Sequence, residues 1–367
     1  MPEPAAQIDA PEKAPAPPAA RVDLYGLTLE ALTRLLTEEL GERAFHAKQL
    51  FRWIHQRGAT DFAQMTDLSK SLRQKLAERA DLGRLAEDLE QRSRDGTVKY
   101  RFRTPDGKLI ESVYMPAEDR KTLCVSTQAG CAMGCSFCMT GTLGLLRNLT
   151  AGEIVAQIHL VNRDVRAKEG LEDLRPLTNL VFMGMGEPLH NFENLKAALC
   201  ILQAEEGPNF SHRHITVSTV GLVPMIERLG AETEVKLAIS LNATTDEQRS
   251  AMMPVNKRWN IAALLDACRR FPVRQGRRIT FEYVMLAGVN DSDEDAHRLV
   301  RLLEGLPAKV NLIPYNENPG LGFRTTGLER AEQFRDILDR GHVCAFIRQN
   351  RGSDIAAACG QLANLPG

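Results

Sequence analysis

The N-terminal part of the chain carries its apolar residues at helical spacing. Three segments show this pattern, LTLEALTRLLTEEL, AFHAKQLFRWIHQRG and DLSKSLRQKLAERA, and it predicts a helical accessory domain over residues 21–95. The third segment begins with Asp67 and Ser69, whose side chains are of the type that caps helix starts. The second helix has a basic face formed by Arg43, Lys48, Arg52 and Arg57. This face either is a solvated surface or contacts a nucleic-acid backbone.

From residue 98 the periodicity changes to that of β-strands. Residues 98–115 alternate on both sides of the turn residues Pro105, Asp106 and Gly107, and this pattern predicts a β-hairpin. We assign residues 96–120 to a hairpin linker between the helical domain and the rest of the chain.

Beyond residue 121, short apolar strands rich in Val and Ile alternate with helical segments. Seven strands are predicted, at residues 122–127, 179–184, 214–219, 235–241, 279–286, 310–315 and 343–347. Such strands are typical of a parallel sheet covered on both faces. Six βα units and a last strand are too few for a closed eight-fold barrel. We therefore predict an α/β fold with a partial (β/α)6 TIM-like barrel over residues 121–350 and a C-terminal loop over residues 351–367.

Composition excludes several classes of protein. The formal net charge is −1, so any nucleic acid must be bound by local basic patches. No apolar run is long enough to span a membrane. Residues 1–20 are rich in Pro and Ala and lack the apolar core of a secretory signal, so we expect a disordered tail there. We expect a cytoplasmic protein that does not associate with membranes.

The eight cysteines are unevenly distributed, which favours a metal site in a reducing compartment over a disulfide scaffold. Cys131, Cys135 and Cys138 form a CxxxCxxC pattern directly after the first barrel strand. Iron–sulfur clusters and structural zinc both use such thiolates, but zinc normally requires a fourth Cys or His nearby, and none follows. A four-iron cluster with three protein ligands leaves one iron open to a small molecule.

Uncommon polar residues follow the other predicted strands. The segment from Gly184 to Pro188 follows the second strand, and the later strand ends carry Ser218, Ser240, Leu241, Asn242 and Asn316. In a parallel barrel these strand ends all lie on one rim, the rim that also carries the cysteine loop. We therefore expect these residues to form one site.

The cysteine pattern, with Phe137 before its last cysteine, resembles the radical S-adenosylmethionine (SAM) superfamily. The resemblance implies that the three cysteines hold a [4Fe–4S] cluster whose open iron binds SAM. It also implies that Gly186 and Glu187, in the GMGEP segment, hold the amino group of SAM. The remaining candidates for binding SAM are Ser218, Ser240, Leu241, Asn242 and Asn316.

Two further cysteines point to a particular family. GSDIAAACGQL around Cys359, together with Cys124, RNLT and MLAGVND, resembles the RlmN family of dual-specificity RNA adenine-C2 methyltransferases over residues 25–363. The resemblance implies that Cys359 is methylated by one SAM and donates this carbon as a radical after reductive cleavage of a second SAM. Cys124 then resolves the protein–RNA adduct by forming a disulfide with Cys359. Glu111 corresponds to the proton acceptor of the family. This route suits C2 of adenine because both that carbon and the methyl group of SAM are electrophilic, so a direct polar transfer between them has no nucleophile.

The resemblance implies adenine 2503 of 23S rRNA and adenine 37 of tRNA as substrates, flipped out of their stacks. It also implies a monomer supplied with electrons by flavodoxin or ferredoxin. The predicted RNA contacts are the N-terminal helices and a basic cluster of Arg269, Arg270, Arg274, Arg277 and Arg278. Three alternatives stay open: a C8-specific relative, a radical SAM activase acting on a protein, and a zinc-bound RNA module. We expect Cys200, Cys268 and Cys344 to be buried free thiols.

Overall fold

The computed structural model describes residues 21–171, 175–318 and 320–363. The predicted tail over residues 1–20 and the last four residues of the predicted C-terminal loop lie outside these ranges. None of the helices in the described ranges is long and apolar enough to cross a lipid bilayer.

The N-terminal module contains three helices, as the apolar spacing predicts. They are α1 (Leu29–Arg34), α2 (Phe45–His55) and α3 (Lys70–Arg79), and a π-helical turn over Leu35–Glu39 extends α1. Ser69 caps α3 by accepting a hydrogen bond from the backbone N–H of Leu72 at 3.1 Å, whereas Asp67 accepts the indole N–H of Trp53 instead. Two short parallel strands, β1 (Val22–Asp23) and β2 (Ala80–Asp81), tie the ends of the module together.

The centre of the molecule is a ten-stranded sheet. Its strands are β3 (Ala86–Arg92), β4 (Val98–Arg103), β5 (Leu109–Pro116), β6 (Lys121–Cys124), β9 (Asn179–Phe182), β10 (Ile215–Thr219), β11 (Lys236–Ser240), β12 (Ile279–Met285), β13 (Ala308–Pro314) and β14 (Ala345–Ile347). The spatial order is β14-β13-β12-β11-β10-β9-β6-β5-β4-β3. The seven strands from β6 to β14 in this order are parallel.

Helices cover the parallel strands, and a small hairpin precedes α5 (Ala151–Glu169), the first long helix of the barrel. The hairpin pairs β7 (Gln128–Gly130) with β8 (Leu145–Asn148) around the short helix α4 (Met139–Thr142). The covering helices are α5 (Ala151–Glu169), α6 (Phe192–Gln203), α7 (Val223–Glu232), α8 (Asp246–Met252), α9 (Ile261–Arg270), α10 (Asp293–Leu303) and α11 (Leu328–Arg340). Seven parallel strands with outer helices, in a sheet that does not close on itself, confirm the predicted partial (β/α)6 barrel.

The antiparallel edge of the sheet departs from the prediction in two ways. Residues Ala86–Arg92 form a strand, not part of a helix, although their sequence AEDLEQR is highly charged. The local sequence has no strand pattern of its own, so the strand is stabilised by its pairing with β4. Asp88 forms ion pairs with both Arg101 and Arg103 across the ladder. The predicted hairpin of β4 and β5 is present, but it continues the barrel sheet through β6 and is not a free linker.

The face of the sheet that packs against the outer helices is apolar. Ile239, Phe281 and Leu312, from β11, β12 and β13, are fully buried, and Tyr283 on the same face of β12 contacts Phe334 of α11. Cys268 is buried as expected, and Cys344 is half-buried. The expectation for Cys200 is wrong, since this thiol lies on the exposed face of α6 near Glu30 and Lys196.

Candidate active site

The three cysteines of the CxxxCxxC pattern lie in a closed loop between β7 and α4. The backbone N–H of Cys131 donates to the carbonyl of Gly144 at 2.9 Å, which closes the loop. Gly130 permits this closure: its φ is +74°, and a Cβ there would stand 1.9 Å from the oxygen of Gly144. A residue with a side chain could not occupy this position.

Of the three cysteines, Cys135 is buried, and Cys131 and Cys138 are half-buried beside it. Burial raises the pKa of Cys131 to about 12, and burial followed by the neighbouring thiolates of Cys138 and Cys131 raises the pKa of Cys135. Metal coordination stabilises thiolates and offsets such a penalty. Within the described ranges, no three His, Cys, Asp or Glu side chains converge as ligands of a single metal ion. In an iron–sulfur cluster each cysteine can bind a different iron, so three thiols in one loop are a ligand set of the kind such a cluster uses.

The GMGEP segment packs tightly against the strand that leads to the cluster loop. Gly186 has φ +99°, and a Cβ there would lie 2.5 Å from the Cβ of Gln128. The side-chain oxygen of Gln128 accepts the backbone N–H of Glu187 at 2.8 Å. Gly184 similarly leaves room for Ser126, whose hydroxyl oxygen would be 2.7 Å from a Cβ at position 184. Both glycines are therefore needed for the close approach of the β6 and β9 ends.

Glu187 is a buried carboxylate that joins two of these loops. Its oxygens accept the backbone N–H of Leu189 at 3.0 Å and that of Val220 at 2.9 Å. Burial raises the pKa of Glu187 to about 7 despite these hydrogen bonds. Each carboxylate oxygen has a second lone pair, so the predicted contact with an ammonium group is compatible with this structural role.

Several of the predicted residues line one pocket. Gly184, Gly186, Glu187, Ser218 and Cys359 contribute to its wall, together with Phe182, Met183, Pro188, Thr219, Glu282 and Ile313. The pocket thus brings the GMGEP segment and the C-terminal cysteine together, although they are far apart in the sequence.

Glu282 is a pocket residue that sequence analysis missed. Burial raises its pKa, and its carboxylate accepts a hydrogen bond from Asn311 at 2.9 Å. The available signal was an acidic residue within the otherwise apolar strand ITFEYVM.

Ser240, Leu241, Asn242 and Asn316 lie at the ends of β11 and β13, outside the wall of this pocket. The side chain of Asn242 is engaged internally, since it accepts the N–H of Val284 at 2.8 Å and donates to the sulfur of Met253. The Asn242 amide is therefore already occupied by contacts within the protein.

Arg249 is a second residue that sequence analysis missed. It is fully buried, and its guanidinium donates to the carbonyls of Leu241 at 3.0 Å and Val220 at 2.6 Å. Burial lowers its pKa to about 10. Arg249 therefore fixes the loops after β10 and β11 relative to each other, beside the thiol of Cys135.

The thiols of Cys124 and Cys359 are near enough to interact electrostatically, and Cys359 lines the pocket. Burial, and next the thiolate of Cys359, raise the pKa of Cys124 to about 12. Cys359 is an exposed residue that lines the pocket, and desolvation by the neighbouring protein, followed by Glu282, raises the pKa of its thiol to about 11. Both cysteines are free thiols in the structure. Because the pKa values of both thiols lie well above 7, both are protonated at neutral pH.

Glu111 is buried on β5 beneath the C-terminal segment. Its carboxylate accepts the backbone N–H of Ala363 at 3.1 Å and lies 3.5 Å from the ammonium group of Lys99. Arg101 stands opposite Glu111 in the β4–β5 ladder. The predicted proton acceptor is therefore next to the segment that carries Cys359.

Comparison with known proteins agrees with this geometry. The description "Ribosomal RNA large subunit methyltransferase N-terminal domain" matches residues 22–82, and "Radical SAM superfamily" matches residues 125–300. Dual-specificity RNA methyltransferase RlmN 2 of Myxococcus xanthus is 73% identical over 98% of this chain and 96% of its own length. The RlmN of Anaeromyxobacter dehalogenans is 63% identical over 93% of this chain and 91% of its own length. The chain belongs to the RlmN family of radical SAM methyltransferases.

A solved structure supports the same assignment. A radical SAM methyltransferase from Sphaerobacter thermophilus superimposes with a TM-score of 0.88 at 49% identity, covering 93% of this chain and 99% of the other. Membership of the RlmN family identifies this chain as a radical SAM enzyme, and it implies SAM and a [4Fe–4S] cluster as cofactors.

The basic residues predicted to bind RNA differ in how far their charge is already neutralised. In this RlmN-family chain, Arg270 pairs with Glu227 at 2.6 Å and with Asp266. Arg274 likewise pairs with Glu234. On α2, Lys48 pairs with Glu206 at 3.0 Å. The face of α2 and the cluster after α9 are therefore only partly available to a polyanion.

Proposed function

We propose that this enzyme methylates C2 of adenine 2503 in 23S rRNA and of adenine 37 in tRNA, with Cys359 as the carrier of the methyl group. The observation that supports this most directly is the position of Cys359 in the pocket of the GMGEP segment, close to Cys124. The relatives named as dual-specificity RNA methyltransferases support the choice of substrates.

Cys131, Cys135 and Cys138 would hold the cluster, and the pocket residues Gly186, Glu187 and Ser218 would hold SAM, with Ser240, Leu241, Asn242 and Asn316 completing the rim. Together, these groups supply the one-electron chemistry that converts a methyl thioether into a carbon radical. The chain contributes the sulfur that is methylated, a low-dielectric pocket and the geometry that keeps Cys359 in contact with both reactants.

The chain's own residues have three roles in this proposal. Cys359 loses its thiol proton as the carbon–sulfur bond forms, and it later carries the carbon to the electrophilic C2 position. Cys124 loses its thiol proton and attacks the sulfur of Cys359; the S–S bond forms as the bond from that sulfur to the linking carbon breaks, the electron pair leaves with the base, and the released carbon takes up a proton to become the methyl group. Glu111 accepts the C2 proton.

The remaining parts of the proposal concern partners. We propose that the enzyme is a cytoplasmic monomer that receives electrons from flavodoxin or ferredoxin. RNA contacts would come from the unpaired basic residues of α2 and of the cluster after α9, because phosphate binding depends on accessible positive charge.

The test is to map the product. Anaerobically reconstituted enzyme is incubated with a 23S rRNA fragment or tRNA and SAM, and the digested RNA is analysed by mass spectrometry. We expect 2-methyladenine at the two named positions. A product containing 8-methyladenine alone would identify the C8-specific alternative, and turnover of a protein substrate without any RNA product would identify the activase.

A further inference from the structure

The segment that carries Cys359 is docked on the short helix that follows the cluster loop. The backbone N–H of Met139 donates to the carbonyl of Gly360 at 2.8 Å. The hydroxyl of Thr140 donates to the carbonyl of Leu362 at 2.6 Å. Thr140 is only 4% exposed and Leu362 only 6%. The main chain just beyond Cys359 is thus held by two short hydrogen bonds from residues directly after Cys138.

Cys359 itself lies at the tip of a tight turn that faces this helix. The N–H of Gln361 donates to the carbonyl of Ala358 at 3.0 Å, and Gly360 has φ +80°. This combination is that of a type II turn with glycine at its third position. A Cβ at Gly360 would lie 3.4 Å from the carbonyl oxygen of Phe137, so the turn is in close contact with the cluster loop.

The other end of the segment has a different anchor. The N–H of Gly352 donates to the carboxylate of Asp95 at 3.0 Å, and Asp354 accepts the N–H of Arg94 at 3.2 Å. The Asp354 contacts are exposed, so water competes with them and they contribute little rigidity. The anchor at Thr140 is buried, and its loss would leave the Leu362 carbonyl without this donor away from solvent.

We propose that Thr140 is a positioning residue for methyl transfer: its hydroxyl holds the segment beyond Cys359 so that this thiol faces the pocket and Cys124. The inference rests on the proposed function of Cys359 as carrier. It goes further because it makes the position of the Cys359 thiol depend on α4, the short helix that follows the cluster loop. A small displacement of a carrier atom has a large effect on rate, since transfer requires close and aligned reactants.

The test compares Thr140→Val, which keeps the shape and removes the hydroxyl, with Thr140→Ser, which keeps the hydroxyl. Thr142→Val is the control, because Thr142 lies in the same helix but is exposed, and its hydroxyl donates to the carbonyl of Met139 within that helix. Hydrogen–deuterium exchange of the reconstituted enzyme follows the peptide that contains residues 352–363. Steady-state methylation of RNA gives kcat and KM separately, and iron analysis reports the cluster.

For Thr140→Val we expect exchange in this peptide to be about fivefold faster, the effect of losing one buried hydrogen bond. We expect kcat to fall about tenfold to a hundredfold, with KM for RNA and iron content unchanged. Thr140→Ser and Thr142→Val should both behave like the wild type.

Three results would overturn the proposal. They are wild-type exchange and kcat in Thr140→Val, an equal defect in Thr140→Ser, or loss of iron from Thr140→Val that accounts for its lower activity. The exchange measurement requires no RNA, so it tests the docking of the segment even if the wild-type enzyme fails to methylate C2, which would overturn the proposed function instead.

Discussion

The two sides of the pocket are built in contrasting ways. The side that includes Gly186, Glu187 and Ser218 is formed by strand ends whose loops are joined through buried side chains such as Gln128 and Arg249. The side that carries Cys359 is an irregular segment, in which Gly352, Ala356 and Gly360 all have positive φ. Of these three residues, Ala356 has the most strained backbone, because a residue with a Cβ is disfavoured at φ +49°.

This contrast matches the tasks that we propose for the two sides. A cofactor must be held in one place, whereas a methyl carrier must reach first the donor and then the acceptor. Segments that move are drawn from the less stable parts of a fold. The rigid side should therefore respond to mutation by losing SAM affinity or stability, and the Cys359 side by losing transfer chemistry with the fold intact.

The largest effect is expected at the carrier itself. Cys359→Ala should reduce RNA methylation by about 10³-fold or more, as removal of a covalent catalytic group does, while iron content stays normal. Cys124→Ala should instead accumulate a covalent protein–RNA adduct, visible as a shifted band on a denaturing gel. Cys200→Ala, at an exposed thiol, is the matched control and should be fully active. An active Cys359→Ala enzyme would contradict the proposed carrier role.

On the rigid side, Gly186→Ala should be much more harmful than Gly288→Ala. Both glycines have positive φ, but a Cβ at Gly186 would lie 2.5 Å from Gln128, whereas nothing lies within 4 Å of a Cβ at Gly288. We expect Gly186→Ala to lower the free energy of unfolding by about 2–4 kcal/mol and to weaken SAM binding at least about tenfold. Gly288→Ala should cost about 1–2 kcal/mol. Equal effects in urea unfolding and SAM titration would argue against a tight GMGEP loop.

Glu187 gives the rigid side a pH-dependent stability. Because burial raises its pKa from 4.5 to about 7, the folded carboxyl binds its proton more tightly than the unfolded one. Its contribution to the free energy of unfolding is therefore fully present below pH 4.5 and is lost as the pH rises towards 7. The loss should amount to at most about 3 kcal/mol.

Urea unfolding of the SAM-free protein across this window measures that slope. Glu187→Gln should remove the slope, although it lowers stability, because the two backbone N–H groups bind different carboxylate oxygens and the amide keeps only one of these positions as an acceptor. Glu38→Gln, at an exposed residue, should keep the wild-type slope. An unchanged slope in Glu187→Gln would show that this carboxyl does not titrate in the window.

The smallest effects are expected outside the pocket, at the RNA contacts. Arg43, just before α2, and Arg52, on α2, are exposed and have no ion pair within the described part of the chain. Their double substitution by Ala should raise KM for RNA severalfold. It should also make the slope of log binding affinity against log salt concentration shallower, by the amount that corresponds to about two lost phosphate contacts. Arg270→Ala should change little, because Arg270 is already paired with two acids. The reverse order of effects would place the RNA on the α9 side.

The sequence predicted the parts of the site that depend on local pattern. The cysteine loop follows a strand with the spacing of three cluster ligands, and alternation of strands and helices places the polar strand ends on one rim. The charged strand Ala86–Arg92 was missed because its partner strand, not its own pattern, stabilises it. The bond between Thr140 and Leu362 joins residues 222 positions apart, and no local signal marks such a contact. Likewise, Arg249 looks like an ordinary helix residue until its burial is known.

The most direct test of the central claim is mass spectrometry of the peptide that carries Cys359. After incubation of the reconstituted enzyme with SAM, we expect Cys359 to carry one methyl group, and we expect this group to disappear when RNA is added under reducing conditions. An enzyme that methylates RNA while Cys359 stays unmodified throughout would contradict the claim that this thiol carries the transferred carbon.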